Sequence, residues 1–375
     1  LMRRFALLTL ILLSIAPMSW SKIFVLPGVS YDSDVGGVIV LYMFYRDQNP
    51  GRIAFSGMYT TKGSQSYAFE AIRPWKGAEW EVYLAYSMEN WMRYDPFNDD
   101  YHKSVVEAMA SGITCRLGSE IPLKGSVNVG GVIGFENYHF FDFDIEEEDH
   151  PGASTQFKLA RQLWTNLDET YVGVRITRDR RDNRYHTTRG SYSRFEYQVV
   201  HLSAGVNPYV FRATGDVRVT FPLWDLPERY SFPKLVWAQM AKVGYIFSDV
   251  PNPILFRIGG GSSLRGFPWK RFEGRGMALY RNELRLTLVD HYMDPITKMR
   301  SRIPNMPELK PGFEFATFAD IGTTWYERLH ADRIHVGYGV GLRVILPADV
   351  VARVDVAWPD DGHYWGLYVE LSQSF

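Results

Sequence analysis

The 375-residue chain has a single cysteine, Cys115, which excludes an internal disulfide framework and any Cys-rich zinc site. It also lacks a surplus of either charge: 41 Lys and Arg stand against 42 Asp and Glu, a formal net of −1. Without a polybasic surface, no nucleic-acid partner is expected. Past the N-terminus, no apolar stretch reaches the roughly 18 uncharged residues that a membrane-crossing helix needs. Histidine is scarce, nine residues in all. His139, His150, His201, His335 and His363 show no spacing of the His-Glu-x-x-His kind. A Gly-x-Ser-x-Gly nucleophile elbow is missing too. From these absences we expect no enzyme: no catalytic residue, no metal and no cofactor.

What the chain does have is aromatic residues, 15% of the total, within a hydrophobic fraction of 46%. The N-terminus carries Arg3 and Arg4, an apolar run from Phe5 to Ala16, and then Ser19-Trp20-Ser21. That run is too short to cross a bilayer as a helix, and the small-x-small step after it suits signal peptidase. Residues 1–21 are therefore predicted to be a signal peptide, and residues 22–375 a single exported domain.

The remainder reads as a succession of period-two segments. From Ala78 to Glu89, Trp80, Val82, Leu84, Tyr86 and Met88 alternate with Glu79, Glu81, Tyr83, Ala85, Ser87 and Glu89. Such a split describes a strand between two different solvents. It recurs at Tyr280, Leu284, Leu286 and Leu288 against Arg281, Glu283, Arg285 and Thr287, and again along 334–343 and 350–358. At the C-terminus Trp365, Leu367, Val369, Leu371 and Phe375 share a face, with Gly366, Tyr368, Glu370, Ser372 and Ser374 opposite. A soluble β-sandwich alternates as well. Export, the aromatic content and a terminal Phe375 placed as a C-terminal sorting signal together favour an all-β, transmembrane antiparallel β-barrel. About fifteen strand candidates can be placed, and an even number near sixteen suits the rules for such barrels. Turn signals stand at Asn49-Pro50-Gly51, Lys62-Gly63-Ser64, Asp95-Pro96 and from Pro304 to Pro311. The polar stretches Asn90–Ser104 and Phe141–Thr155 read as extracellular loops. The run Asp142, Asp144, Glu146, Glu147, Glu148 and Asp149 reads as a solvated loop surface.

One stretch is more specific: Gly259-Gly260-Gly261-Ser262-Ser263-Leu264-Arg265-Gly266-Phe267. It is no phosphate cradle, because no Gly-Lys-Ser/Thr follows. It resembles the Leu/Val-Arg-Gly-Phe/Tyr loop of the bacterial surface antigen family. Those outer-membrane barrels include the BamA- and TamA-type assembly proteins and the two-partner secretion transporters. Asn282-Glu283-Leu284-Arg285 and Phe318-Ala319-Asp320-Ile321-Gly322 are similar to the wall strands that follow the loop. Arg178-Asp179-Arg180-Arg181-Asp182-Asn183, followed by Arg189-Gly190-Ser191-Tyr192, is similar to a family turn.

The resemblance implies that a long extracellular loop folds back into the lumen, with Leu264, Arg265, Gly266 and Phe267 at its tip. Strand parity points Glu283 and Asp320 inward, away from Leu284 and Ile321, so these carboxylates are the expected holders of Arg265. Phe318 and Gly322 would support the wall. Gly337, Gly339 and Gly341 occupy three successive inward positions, where a folded-back loop needs clearance; a wide water-filled lumen would tolerate the same row. The family's assembly and secretion members carry POTRA domains before the barrel. Here only a few residues separate the expected cleavage site from the first strand, so a short form with no POTRA domain is expected.

The implied place is the outer membrane of a Gram-negative bacterium, in contact with lipid and lipopolysaccharide. The implied role is insertion or translocation of polypeptides or lipids, with unfolded outer-membrane proteins or a periplasmic accessory protein as partners. The alternative is a passive channel or surface antigen without transport.

Overall fold

A computed structural model describes residues 23–32, 36–46, 52–94, 104–123, 125–145, 166–184, 186–203, 207–225, 234–290, 312–326, 333–345, 351–362 and 364–370. The expected signal peptide, Phe375 and the turn signals at 49–51, 95–96 and 304–311 lie outside these residues.

The first eleven strands are β1 (Ile23–Asp32), β2 (Gly36–Arg46), β3 (Arg52–Thr60), β4 (Gln65–Trp75), β5 (Ala78–Tyr94), β6 (Ser104–Pro122), β7 (Val127–Ile145), β8 (Asn166–Asp179), β9 (Gly190–Leu202), β10 (Tyr209–Trp224) and β11 (Leu235–Ile246). The long connection that follows holds a small hairpin of β12 (Phe256–Ile258) and β13 (Phe272–Gly274). Among the described residues five more strands follow: β14 (Gly276–Asp290), β15 (Gly312–Trp325), β16 (His335–Ile345), β17 (Val351–Pro359) and β18 (Gly366–Glu370).

All except β12 and β13 belong to one 16-stranded antiparallel sheet, each strand pairing with its neighbour in sequence. The sheet curls until β1 and β18 lie side by side. Among the described residues, no hydrogen-bonded ladder joins those two.

Alternation sets the two surfaces. Along β8, Leu167, Glu169, Tyr171, Arg175 and Thr177 are buried inside, while Val172, Val174 and Ile176 are exposed outside. Along β16, Gly337, Gly339, Gly341 and Arg343 face in, and Tyr338, Val340 and Leu342 face out. An apolar exterior around a charged interior is the inverse of a water-soluble fold, and it suits a barrel set in lipid.

Interior charges pair across strands. Arg175 on β8 donates from Nε to Glu196 at 2.9 Å and from Nη1 to Glu81 at 2.8 Å. The hairpin between β4 and β5 turns on Lys76 and Gly77, both at positive φ (51° and 80°), as a two-residue turn between twisted strands requires.

Two expected loops prove shorter than their polarity suggested. Pairing of β5 with β6 continues through Asn90↔Met109 to Tyr94↔Ser104, and β7 runs on to Ile145. Polar side chains do not end a strand while a neighbour still satisfies its backbone groups. Asp142, the start of the acidic run, thus sits in β7, at a positive φ of 50°; residues 146–149 lie outside the described structure. Cys115 sits within β6 and is partly exposed.

The outward face makes a quantitative expectation. Val172→Arg, near the middle of β8, is expected to destabilise the barrel by about 2–4 kcal/mol, whereas Val172→Leu leaves it unchanged. Urea titration in liposomes, followed by heat-modifiable gel mobility, measures both.

Candidate functional site

The connection from β11 to β14 turns back into the lumen. Its β12–β13 hairpin carries a tip, residues 259–267, that lies against the inner faces of β14 to β18. Ser263 closes the tip: its hydroxyl accepts from the Gly259 N–H at 2.8 Å and donates to the Gly259 carbonyl at 2.8 Å. Leu264 and Phe267 are both fully buried, in a cluster with Ala238, Met240, Ile258, Met277, Leu279 and Tyr364. Phe267 also meets the rings of Phe272 and His335 edge-on, at 5.2 and 5.5 Å. Burying such side chains contributes about 1.5–3 kcal/mol each.

Arg265, between these two anchors, is 0% exposed. Its Nε donates to Asp320 Oδ2 at 2.6 Å and its Nη2 to Asp320 Oδ1 at 2.8 Å, a bidentate fork. Nη1 donates to Glu283 Oε2 at 3.0 Å and to Asp355 Oδ2 at 3.1 Å. The guanidinium carbon sits 3.4 Å from the centre of the Phe318 ring. Burial alone would weaken the hold on the guanidinium proton. Asp320, Asp355 and Glu283 outweigh that effect and keep the group protonated, well above its ordinary range.

The carboxylates are held in turn by further arginines on the wall. Arg343 donates to Glu283 at 2.7 Å and pairs with Asp355. Arg353 donates to Asp355 at 3.1 Å and to the Gly261 carbonyl at 2.9 Å. Arg281 reaches the carbonyls of Ser262 and Gly261 at 3.2 and 3.3 Å. Tyr368 on β18 accepts from the Gly266 N–H at 3.2 Å and donates to the Phe267 carbonyl at 3.1 Å.

The structure brings Arg265, Glu283 and Asp320 together. Leu284 and Ile321 point outward, 38% and 40% exposed, as their parity implies. Asp355, Arg343, Arg353, Arg281 and Tyr368 were not singled out from the sequence. Their inward parity was visible, but that β17 and β18 also meet the loop tip was not.

The glycine row needs a correction. A Cβ on Gly337 would collide with the Arg265 carbonyl, so this glycine does clear space for the loop. The other two serve different neighbours. A Cβ on Gly339 would collide with the Val356 carbonyl of β17 and lie 2.6 Å from the Phe318 ring, and one on Gly341 would collide with Asp355. Gly266, at a φ of +93°, lies so close to β17 that a Cβ would come 2.7 Å from the Trp358 backbone. Gly322 leaves room for Ile258 and Leu264.

The stretch 178–192 runs from the end of β8 through the β8–β9 turn into β9, residue 185 lying outside the described structure. Asp179 takes a fork from Arg181 at 2.9 and 2.8 Å, and Asp182 Oδ1 accepts the N–H groups of Asn183 and Thr188 at 2.8 and 3.1 Å. Gly190, at a φ of +114°, abuts the Arg180 carbonyl, where a Cβ would collide.

A family model described as the Omp85 superfamily domain matches residues 50–375. No curated protein sequence matches the chain. Several solved structures are similar. BamA from Haemophilus ducreyi lacking POTRA domains 1-3 has a TM-score of 0.57 at 13% identity, over 93% of this chain and 70% of that one. CdiB from Escherichia coli scores 0.55 at 15% identity, over 94% and 63%. CdiB from Acinetobacter baumannii scores 0.57 at 14%, over 94% and 60%. At these identities the likeness is one of fold, and the chain spans less than two thirds of either CdiB chain.

Arg265→Ala would leave three carboxylates facing one another without their shared cation, at an expected cost of about 3–5 kcal/mol. Arg265→Lys should recover little, because an ammonium lacks the fork that Asp320 engages. Gly337→Ala should cost about 1–3 kcal/mol by overpacking. Combined with Arg265→Ala it should add less than that sum, because both changes free the same loop. Urea midpoints of the four variants test these values.

Proposed function

This chain belongs to the Omp85 superfamily of Gram-negative outer-membrane barrels, and from that membership we propose that it assists insertion or translocation of polypeptides or lipids at the outer membrane. The observation that carries the reading is the attachment of the lumenal loop to the strand at the sheet's edge. Tyr368 on β18 grips the loop backbone at Gly266 and Phe267. Glu370, two residues on, pairs with Arg353, which in turn holds the Gly261 carbonyl. β18 therefore cannot swing away from β1 without disturbing the loop tip.

An edge strand presents unpaired N–H and C=O groups that a client strand can use. In the proposed cycle, β1 and β18 part, a client segment pairs along the freed edge, and the Arg265 clasp keeps the rest of the wall in register. The clients would be unfolded outer-membrane proteins or lipids, with lipopolysaccharide and phospholipid as the surrounding medium. A periplasmic accessory protein would deliver them. The loop also reaches toward the opposite wall, where Lys270 pairs with Glu89 of β5 at 2.8 Å. A segment lying across the lumen argues against an open passive channel.

The test is the folding rate of an added unfolded outer-membrane barrel in liposomes that carry wild type, Arg265→Ala or no protein. Acceleration by wild type that Arg265→Ala abolishes is the expected result. Wild type that is itself folded, by heat-modifiable mobility, yet no faster than empty liposomes would overturn autonomous insertion and return the passive channel.

A further inference from the structure

One buried group lies outside the loop clasp altogether. His186 belongs to the β8–β9 turn, at the end of the barrel opposite the root of the loop, because the strands between the two connections alternate in direction. A turn at a barrel mouth ordinarily sends its polar side chains into water. Here the imidazole is 3% exposed, and its Nε2 lies 3.0 Å from Glu314 Oε1, itself buried. The turn is braced to hold it there. Asn183 Oδ1 accepts the His186 N–H at 3.2 Å, and Thr187 donates to the Asn183 carbonyl at 2.8 Å.

Glu314 is tied into the wall that holds the loop. On β15 it stands directly opposite Arg343 of β16. It pairs with Thr287 of β14, and Ala316 pairs with Arg285, so Glu314 and Arg285 are diagonal neighbours on the inner face. Arg343 contacts Glu283 and Asp355, the two carboxylates on Arg265 Nη1. Arg285 Nε lies 3.7 Å from Glu283 Oε1. Each of these side chains is at most 1% exposed. A change of charge at Glu314 would act first on Arg285 and Arg343, its buried neighbours on the inner face, and through them on the carboxylates around Arg265.

We propose that the β8–β9 turn is a second stopper, seated by His186 on Glu314, and that Arg285 and Arg343 couple it to the Arg265 clasp. Withdrawal of the turn at one mouth then loosens the loop that reaches in from the other. A chain or accessory protein arriving at the turn's mouth would be sensed at the loop tip. This inference rests on the proposed function, in which parting β18 from β1 disturbs the loop tip, and it adds that the clasp itself is a lock that can be loosened.

Native trypsin sites report on both ends at once: Arg184 and Arg189 in the turn, and Arg265, Lys270 and Arg271 in the loop. Cleavage rates at the two places, assigned by mass, are to be measured on folded protein for wild type, Arg265→Ala, His186→Leu and Glu314→Gln, with heat-modifiable mobility confirming the fold of each. His186→Leu is expected to raise cleavage at both places, the loop by about tenfold, the size of coupling usual among contacting charges. Glu314→Gln retains an acceptor for the imidazole but removes the charge, so it should loosen the loop while sparing the turn. A turn freed by His186→Leu with the loop still cut at the wild-type rate overturns the coupling, as does a turn that His186→Leu fails to free. A loop unaffected by Glu314→Gln removes the charge path. A loop that stays protected even in Arg265→Ala defeats the lock reading itself, a failure distinct from the others.

Discussion

A guanidinium shut away from water must be surrounded by carboxylates, and much of the interior of this barrel follows from satisfying Arg265. Asp320 matches its fork, and Glu283 and Asp355 share Nη1. Three carboxylates drawn to one point would repel one another, so Arg343, Arg353 and Arg281 stand around them. The outcome is a lattice of alternating charge on the inner face of β14 to β18 with the loop's arginine at its centre. Such a lattice adds less to net stability than its many contacts suggest, because each charge was better solvated in water. What it does supply is position. The loop tip has one place in which every charge is answered.

Steric fit makes the same choice. Gly337 and Gly266 allow two backbones to approach where any Cβ would clash, and Gly339 admits the Phe318 ring on which the guanidinium rests. Leu264 and Phe267 anchor the tip on either side in an apolar cluster. Polar and apolar contacts are thus interleaved along four consecutive residues. Apolar anchoring resists a purely electrostatic competitor, and the charged fork resists apolar slippage. The attachment extends to β18 through Tyr368, which ties the loop to the edge of the sheet.

The strand pattern was legible because a barrel wall separates two media and each residue must suit one of them. That demand writes a period of two into the sequence, and inward Glu283 and Asp320 could be told from outward Leu284 and Ile321 by counting. Strand ends were read less well. Asn90 to Tyr94 and Phe141 to Ile145 are polar or mixed, yet remain paired, because the ladder depends on the neighbouring strand's backbone and not on side-chain polarity. The glycine row was legible as small residues facing inward, but not as three separate accommodations.

By itself the sequence determined which residues face outward and which face the lumen, and that a single arginine sits between two apolar residues in a glycine-rich loop. Local pattern suffices for that, since period and spacing lie within one segment. Only the tertiary structure decided that Asp355 is the third carboxylate on Arg265, that Tyr368 holds the loop backbone, and that His186 reaches Glu314. Those contacts join residues 90, 101, 102 and 128 positions apart. Nothing in the local alternation of β8, β15, β17 or β18 states how far each is staggered against its neighbours. Register and curvature set that stagger, and they exist only once the sheet has curled.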